Sequence, residues 1–201
     1  SFAAIIQKLL GSVSVKPEAI VLPEHIWNDG GITWPGQDAG FLGRANNPWL
    51  INCHPESAGF QIPGLTLAEG INEKRFDERL KILESVNNSA AKNQSDKNQK
   101  QFENQTKQAL NLMSGEATRK AFNLNLEPES MRERYGKNRW GQSVLLARRL
   151  VESGVPMIQV NWTRFANEPQ GSPSWDTHAK NAEKLKKELM PVMDQSYSAL
   201  L

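Results

Sequence analysis

From Trp140 to Leu200 the chain changes period twice, and that change limits the fold more than any other stretch does. Trp140, Val144, Ala147 and Val151 recur at helical spacing, with Leu146 and Leu150 widening the stripe. Arg148 and Arg149 ride toward the carboxyl end, where the helix dipole favours cations, and Gly154 supplies a stop. Val155 to Trp162 then alternates at period two, with Ile158, Val160 and Trp162 on one face and Met157, Gln159 and Asn161 on the other. A polar loop follows. Ala182, Leu185, Leu189, Met193 and Leu200 then mark a last helix, which Pro191 is expected to kink. Helix, glycine, strand, loop, helix is the order of an α/β unit, so the expected class is α/β.

Upstream, residues 2–10 read as the end of a helix closed by Gly11, and Ala19 to Leu22 is an apolar run of strand length between Pro17 and Pro23. Residues 23–65 are rich in Gly, Pro, Asn and Trp and sustain neither period, as in a long ordered loop. Phe76, Leu80, Leu83 and Val86 sit at helical spacing; an amide-rich break near 88–96 precedes a second helix through Phe102, Leu110 and Met113. The expectation is a helical hairpin inserted at 72–122 in a single α/β domain over 1–201. A short helix begins after Glu127-Pro128, where proline suits a first turn, and ends near Tyr135-Gly136.

With 24 basic and 22 acidic residues the net charge is +2, which leaves no basic excess to bind nucleic acid by counterion release. The chain has no apolar run long enough to span a bilayer, so no membrane span is expected in this segment. Cys53 is the single cysteine, which excludes an internal disulfide; it reads as a small buried apolar residue rather than a nucleophile. Both ends fall inside apolar helical patterns, so the chain reads as an internal fragment.

The densest chemistry is Trp175-Asp176-Thr177-His178, beyond the strand and opening the last helix. A carboxylate and an imidazole two residues apart suit a divalent cation such as zinc or manganese, at the place where α/β enzymes gather ligands. The competing reading is an N-cap, with Asp176 or Thr177 accepting N–H bonds and His178 in the first turn. Asn161 could hydrogen-bond a substrate oxygen or orient its loop, and Arg164 could pair with an oxyanion or lie as a solvated charge. In the 34–54 loop, Trp34 and Asp38, with Arg44, Asn46, Asn47, Trp49 and His54, could form a sugar-binding platform; the alternative is a cover pinned to the sheet edge by buried Trp. His25 reads as structural or surface. Ser143 and Ser174 lack a nucleophile context, so the nucleophile stays unassigned.

Three stretches carry a resemblance: Trp34-Pro-Gly-Gln-Asp-Ala-Gly-Phe-Leu-Gly43; Tyr135-Gly-Lys-Asn-Arg-Trp-Gly-Gln-Ser-Val-Leu-Leu-Ala-Arg-Arg-Leu-Val-Glu-Ser-Gly154; and Trp175-Asp-Thr-His178 with its helix. They resemble a large bacterial domain-of-unknown-function family, often labelled sulfatase-like and typically carrying a twin-arginine export signal. That family is similar to the alkaline phosphatase/sulfatase superfamily of metal-dependent hydrolases. The resemblance implies a partial alkaline phosphatase-like three-layer sandwich from an exported, periplasmic or secreted protein. It implies cleavage of a phosphate or sulfate ester of a small molecule or polysaccharide, with Asp176 and His178 as metal ligands and further ligands elsewhere in a longer chain. By that reading the fragment alone is inactive. The rival is a non-catalytic polysaccharide- or envelope-binding protein on the same fold.

Overall fold

The computed structural model describes residues 1–10, 17–27, 32–62, 73–91, 116–162 and 174–201. It is mixed α/β, built on a small parallel sheet of β1 (Ala19–Leu22), β2 (Trp49–Leu50) and β3 (Met157–Val160) in the order β2-β1-β3. The central strand pairs Ile20 with Trp49 on one side and Ile158 on the other. All four β1 residues are buried, because a central parallel strand is covered on both faces and reads as an unbroken apolar run.

Alternation along β1 divides the core. Ala19 and Val21 meet Ala3 of α1 (Phe2–Leu10), with Leu50 and Met157 packed against them. Ile20 and Leu22 face the larger core of Leu145, Leu146 and Leu150 from α5 (Arg139–Glu152), with Phe122, Leu124 and Tyr135. Helices therefore cover both faces of the sheet. Buried Gln7 ties α1 to the sheet by accepting from the Glu18 and Ala19 amides, each at 3.2 Å.

Short α3 (Glu116–Phe122) and α4 (Glu129–Tyr135) lead into α5. The α4–α5 corner accounts for much of the Tyr135–Gly154 motif. Gly136 takes φ 91°, a left-handed conformation that a side chain would strain. The Asn138 side chain caps α5 by accepting from the Gly141 amide at 2.9 Å. Gln142 is fully buried and fully used: its Nε2 donates to the Arg132 and Gly136 carbonyls, and its Oε1 accepts from Arg132 Nε, all at 2.9 Å. Buried amides of this kind are tolerated only when satisfied.

The helices at 2–10 and 139–152 and the strand at 19–22 agree with the periodicity. Several expectations change. The 23–65 segment is not only loop, since it contains β2, a strand too short for alternation to register. The strand expected over Val155–Trp162 is confined to Met157–Val160. The first helix of the expected hairpin, α2 (Glu73–Ala91), runs into the expected break; the second helix lies mostly outside the described residues. Val151, expected on the apolar stripe, is 53% exposed. The last helix opens at Asn181, not at Asp176: α6 (Asn181–Lys184) passes through a π turn (Leu185–Leu189) into α7 (Met190–Leu200). Pro191 thus falls in the first turn of α7, directly after the π turn, where its missing N–H is least disruptive. No helix among the described residues is long and apolar enough to cross a membrane.

Candidate functional site

The three parallel strands end together, and polar side chains collect beyond their carboxyl ends. After β1 come Pro23, Glu24 and His25; after β2 come Cys53, His54 and Glu56; after β3 come Asn161 and Trp162. Backbone bonds continue past the strands and hold these segments in line: Cys53 N–H donates to the Pro23 carbonyl at 2.9 Å, and Asn161 N–H to the Leu22 carbonyl at 2.6 Å.

Asn161 is buried and committed to the protein. Its Nδ2 donates to the Glu24 carbonyl at 2.8 Å, and its Oδ1 accepts from Gln159 Nε2 at 2.9 Å. It orients the segment leaving β1, the second of its two sequence readings.

Asp176 and His178 lie on the surface as a pair. His178 Nε2 is 3.0 Å from Asp176 Oδ2, with the side chains 84% and 68% exposed. Neither Asp176 nor Thr177 is the N-cap of the last helix. That position belongs to Lys180 at φ 54°, without a side-chain cap, while Thr177 Oγ1 donates to Asn181 Oδ1 at 2.6 Å. The capping expectation is therefore corrected: the helix starts one turn later than helical spacing suggests, at a position without a side-chain cap. An aromatic row places the pair at the carboxyl edge. Trp175 packs edge-on against Trp162 with centroids 5.4 Å apart, and Trp162 lies 5.0 Å from Trp140 at the start of α5.

Ligand bonds of about 2.0–2.2 Å to one cation leave adjacent donors roughly 3 Å apart, close to the observed Asp176–His178 separation. Among the described residues no group of three or more His, Cys, Asp or Glu side chains converges to hold a metal. A cation here would need ligands beyond these two.

Trp34 and Asp38 lie on a loop stitched to the segment after β1. Trp34 N–H donates to the Ile26 carbonyl at 3.0 Å, and Gln37 brackets Ile26 by accepting from its amide at 2.6 Å and donating to its carbonyl at 3.0 Å. Trp34 is 46% exposed, so it is not a buried pin; Trp49 packs on the core instead. Asp38 is exposed. Arg164 lies outside the described residues.

Glu24, Glu56 and Arg139, which no sequence pattern marks as functional, gather with His25 and His54 at this edge. Glu56 Oε1 is 3.3 Å from His54 Nδ1 and 3.6 Å from Arg139 Nε. The signal was their position just past strand ends, but β2 had to be recognised before His54 and Glu56 could be placed. Glu24's carboxyl is raised above its ordinary 4.5 because burial penalises its charge; a Trp27 hydrogen bond and the fields of His54, Arg139 and His25 oppose the shift. Cys53 is buried, and burial, with Glu56 adding, pushes its thiol up to about 12, which suits a core residue and not a nucleophile.

A raised carboxyl binds its proton more tightly folded than unfolded. Stability is therefore greatest below the unfolded value and falls as pH rises through the folded one. Glu24→Gln, which keeps an acceptor for Trp27, is expected to raise the thermal midpoint at neutral pH and to leave it unchanged below the ordinary carboxylate range. An equal shift at both pH values would remove Glu24 ionisation as the cause.

No curated protein and no solved structure matches the chain. A family model does match, over residues 1–201, and the chain accordingly belongs to the family described as protein of unknown function (DUF1501).

Proposed function

We propose that the chain is one section of an exported, periplasmic or secreted metal-dependent hydrolase on an alkaline phosphatase/sulfatase-like sandwich, acting on phosphate or sulfate esters. The observation that supports this reading is the Asp176–His178 pair, held 3.0 Å apart at the carboxyl edge of a parallel sheet. That edge is where open α/β sheets place their ligands. Asp176 and His178 would hold a zinc or manganese ion in place of the hydrogen bond they now share. Such an ion, when bound, polarises an ester oxygen. Asn161 holds the β1 exit in register, and the Trp162–Trp175 contact ties the segment that carries the pair to the end of β3. The remaining ligands and the nucleophile would come from further chain, so the 201 residues alone would not turn over substrate.

Metal content of the purified full-length protein is the direct test. The expected result is near-stoichiometric zinc or manganese, lost in both Asp176→Ala and His178→Ala. A folded protein that stays metal-free after incubation with either ion would overturn the proposal. A second reading, a non-catalytic binder of polysaccharide or of an envelope partner, draws on the exposed Ile32, Trp34 and Phe41 of the loop beyond β1, the last fully solvent-exposed.

A further inference from the structure

Two exits of the parallel sheet are fastened side by side. Cys53 N–H donates to the Pro23 carbonyl at 2.9 Å, which brings Glu24 and His25, leaving β1, next to His54 and Glu56, leaving β2. Arg139, the first residue of α5, joins them: Glu56 Oε1 is 3.6 Å from its Nε and 3.3 Å from His54 Nδ1. Glu56 thus braces both basic groups from one side. The His54 side chain is 58% exposed and that of Arg139 24%, so the cluster opens to solvent past the imidazole.

The Trp34 loop reaches the same place. Beyond His25 the chain pairs Trp27 with Thr33 in an antiparallel bridge, and Trp34 N–H donates to the Ile26 carbonyl at 3.0 Å. Gln37 grips the Ile26 amide and carbonyl and also donates to the Trp34 carbonyl at 2.9 Å. The backbone that carries this half-exposed indole is therefore fixed against the residue that follows His25.

Charge selects the ligand. Arg139 and Glu56 carry one fixed charge of each sign, and the two imidazoles add donors. Burial holds Glu24 toward its neutral acid, which lowers its repulsion of an incoming anion. That balance admits a single negative charge more readily than the near-double charge of a phosphate monoester. A guanidinium offers a planar carboxylate two edges, Nε with one Nη, and the two Nη together. Glu56 lies toward the first.

We propose that this cluster is a subsite for a sugar acid. The ligand's carboxylate takes the Nη1–Nη2 edge of Arg139 beside His54, and its ring lies on the Trp34 indole, whose face suits the apolar side of a pyranose. The inference goes beyond both readings of the protein's function: it names a ligand, whether hydrolysed or only held, and asks nothing of Asp176, His178 or a metal.

Calorimetric titration of the EDTA-treated full-length protein with glucuronate, glucose and inorganic phosphate tests it. Glucuronate is expected to bind about tenfold or more tightly than either of the others, and Arg139→Gln to remove that advantage. Trp34→Ala should weaken glucuronate about threefold or more, and His178→Ala should leave it unchanged. If Arg139→Gln fails to fold, His54→Gln, at an exposed position, should weaken glucuronate about threefold. No detectable glucuronate binding, equal binding of glucose, or tighter binding of phosphate would overturn the proposal. So would glucuronate binding that survives Arg139→Gln or is lost in His178→Ala.

Discussion

Gly141→Ala is expected to destabilise the protein by about 3 kcal/mol or more, although the same change in an ordinary helix interior stabilises by about 1 kcal/mol. The sign reverses because of where α5 begins. A Cβ on Gly141 would fall well inside van der Waals contact of the Tyr135 and Gly136 carbonyl oxygens, which are backbone atoms and cannot rotate aside. Relief would require α4 to move off α5. That movement would expose Tyr135, which is 1% exposed, and would break the Gln142 bonds to the Arg132 and Gly136 carbonyls. The Asn138 cap on the Gly141 amide would go with them. Urea unfolding of Gly141→Ala against the parent checks this. A neutral or more stable variant would mean that α4 and α5 are not in such close approach.

That corner shows what could be read from residues alone. The motif from Tyr135 to Gly154 was distinctive enough to carry a family resemblance, and its helix, its glycine stop and the following strand emerged from period and spacing. Its reason did not, because Gly141 is small on account of two carbonyls that only the folded corner brings near. β2 was hidden for a different reason: two residues have no period, and without that strand His54 and Glu56 looked like loop. The closeness of Asp176 and His178 follows from their spacing, but the motif's place is off by a turn, because Lys180, a non-glycine in the left-handed region, breaks the helix that spacing alone carries back to Asp176. The helix dipole accounts for the place of Arg148 and Arg149 but not for their partner, which lies more than twenty residues upstream.

That partner is Glu127, and Glu127→Ala is expected to cost about 3 kcal/mol, a fall in thermal midpoint of about 10 °C for a chain of this size. The carboxylate is only 10% exposed. Arg148 Nη2 donates to its Oε1 at 2.6 Å, and Arg149 Nη1 donates to the same oxygen. Arg149 also donates through Nε to the Ala121 carbonyl at 2.9 Å and through Nη2 to that of Lys120, closing the end of α3 onto α5. Arg148 lies over the Tyr135 ring, 5.7 Å from its centroid. Removing the carboxylate leaves two guanidinium groups, 22% and 13% exposed, with their main counter-charge gone, so the loss exceeds that of a surface pair. Burial by itself pushes Glu127's carboxyl up, but hydrogen bonds from Arg149 and Arg148 and their charges outweigh it and hold it below its ordinary 4.5. The pair therefore contributes fully above that value, and its contribution is lost as pH falls through the lower, folded one. The stability gap between the parent and Glu127→Ala should narrow on acidification, whereas Glu152→Ala, removing a carboxylate 62% exposed beside Arg148, should stay within about 0.5 kcal/mol throughout. A gap that does not change with pH would assign Glu127's role to packing and not to charge.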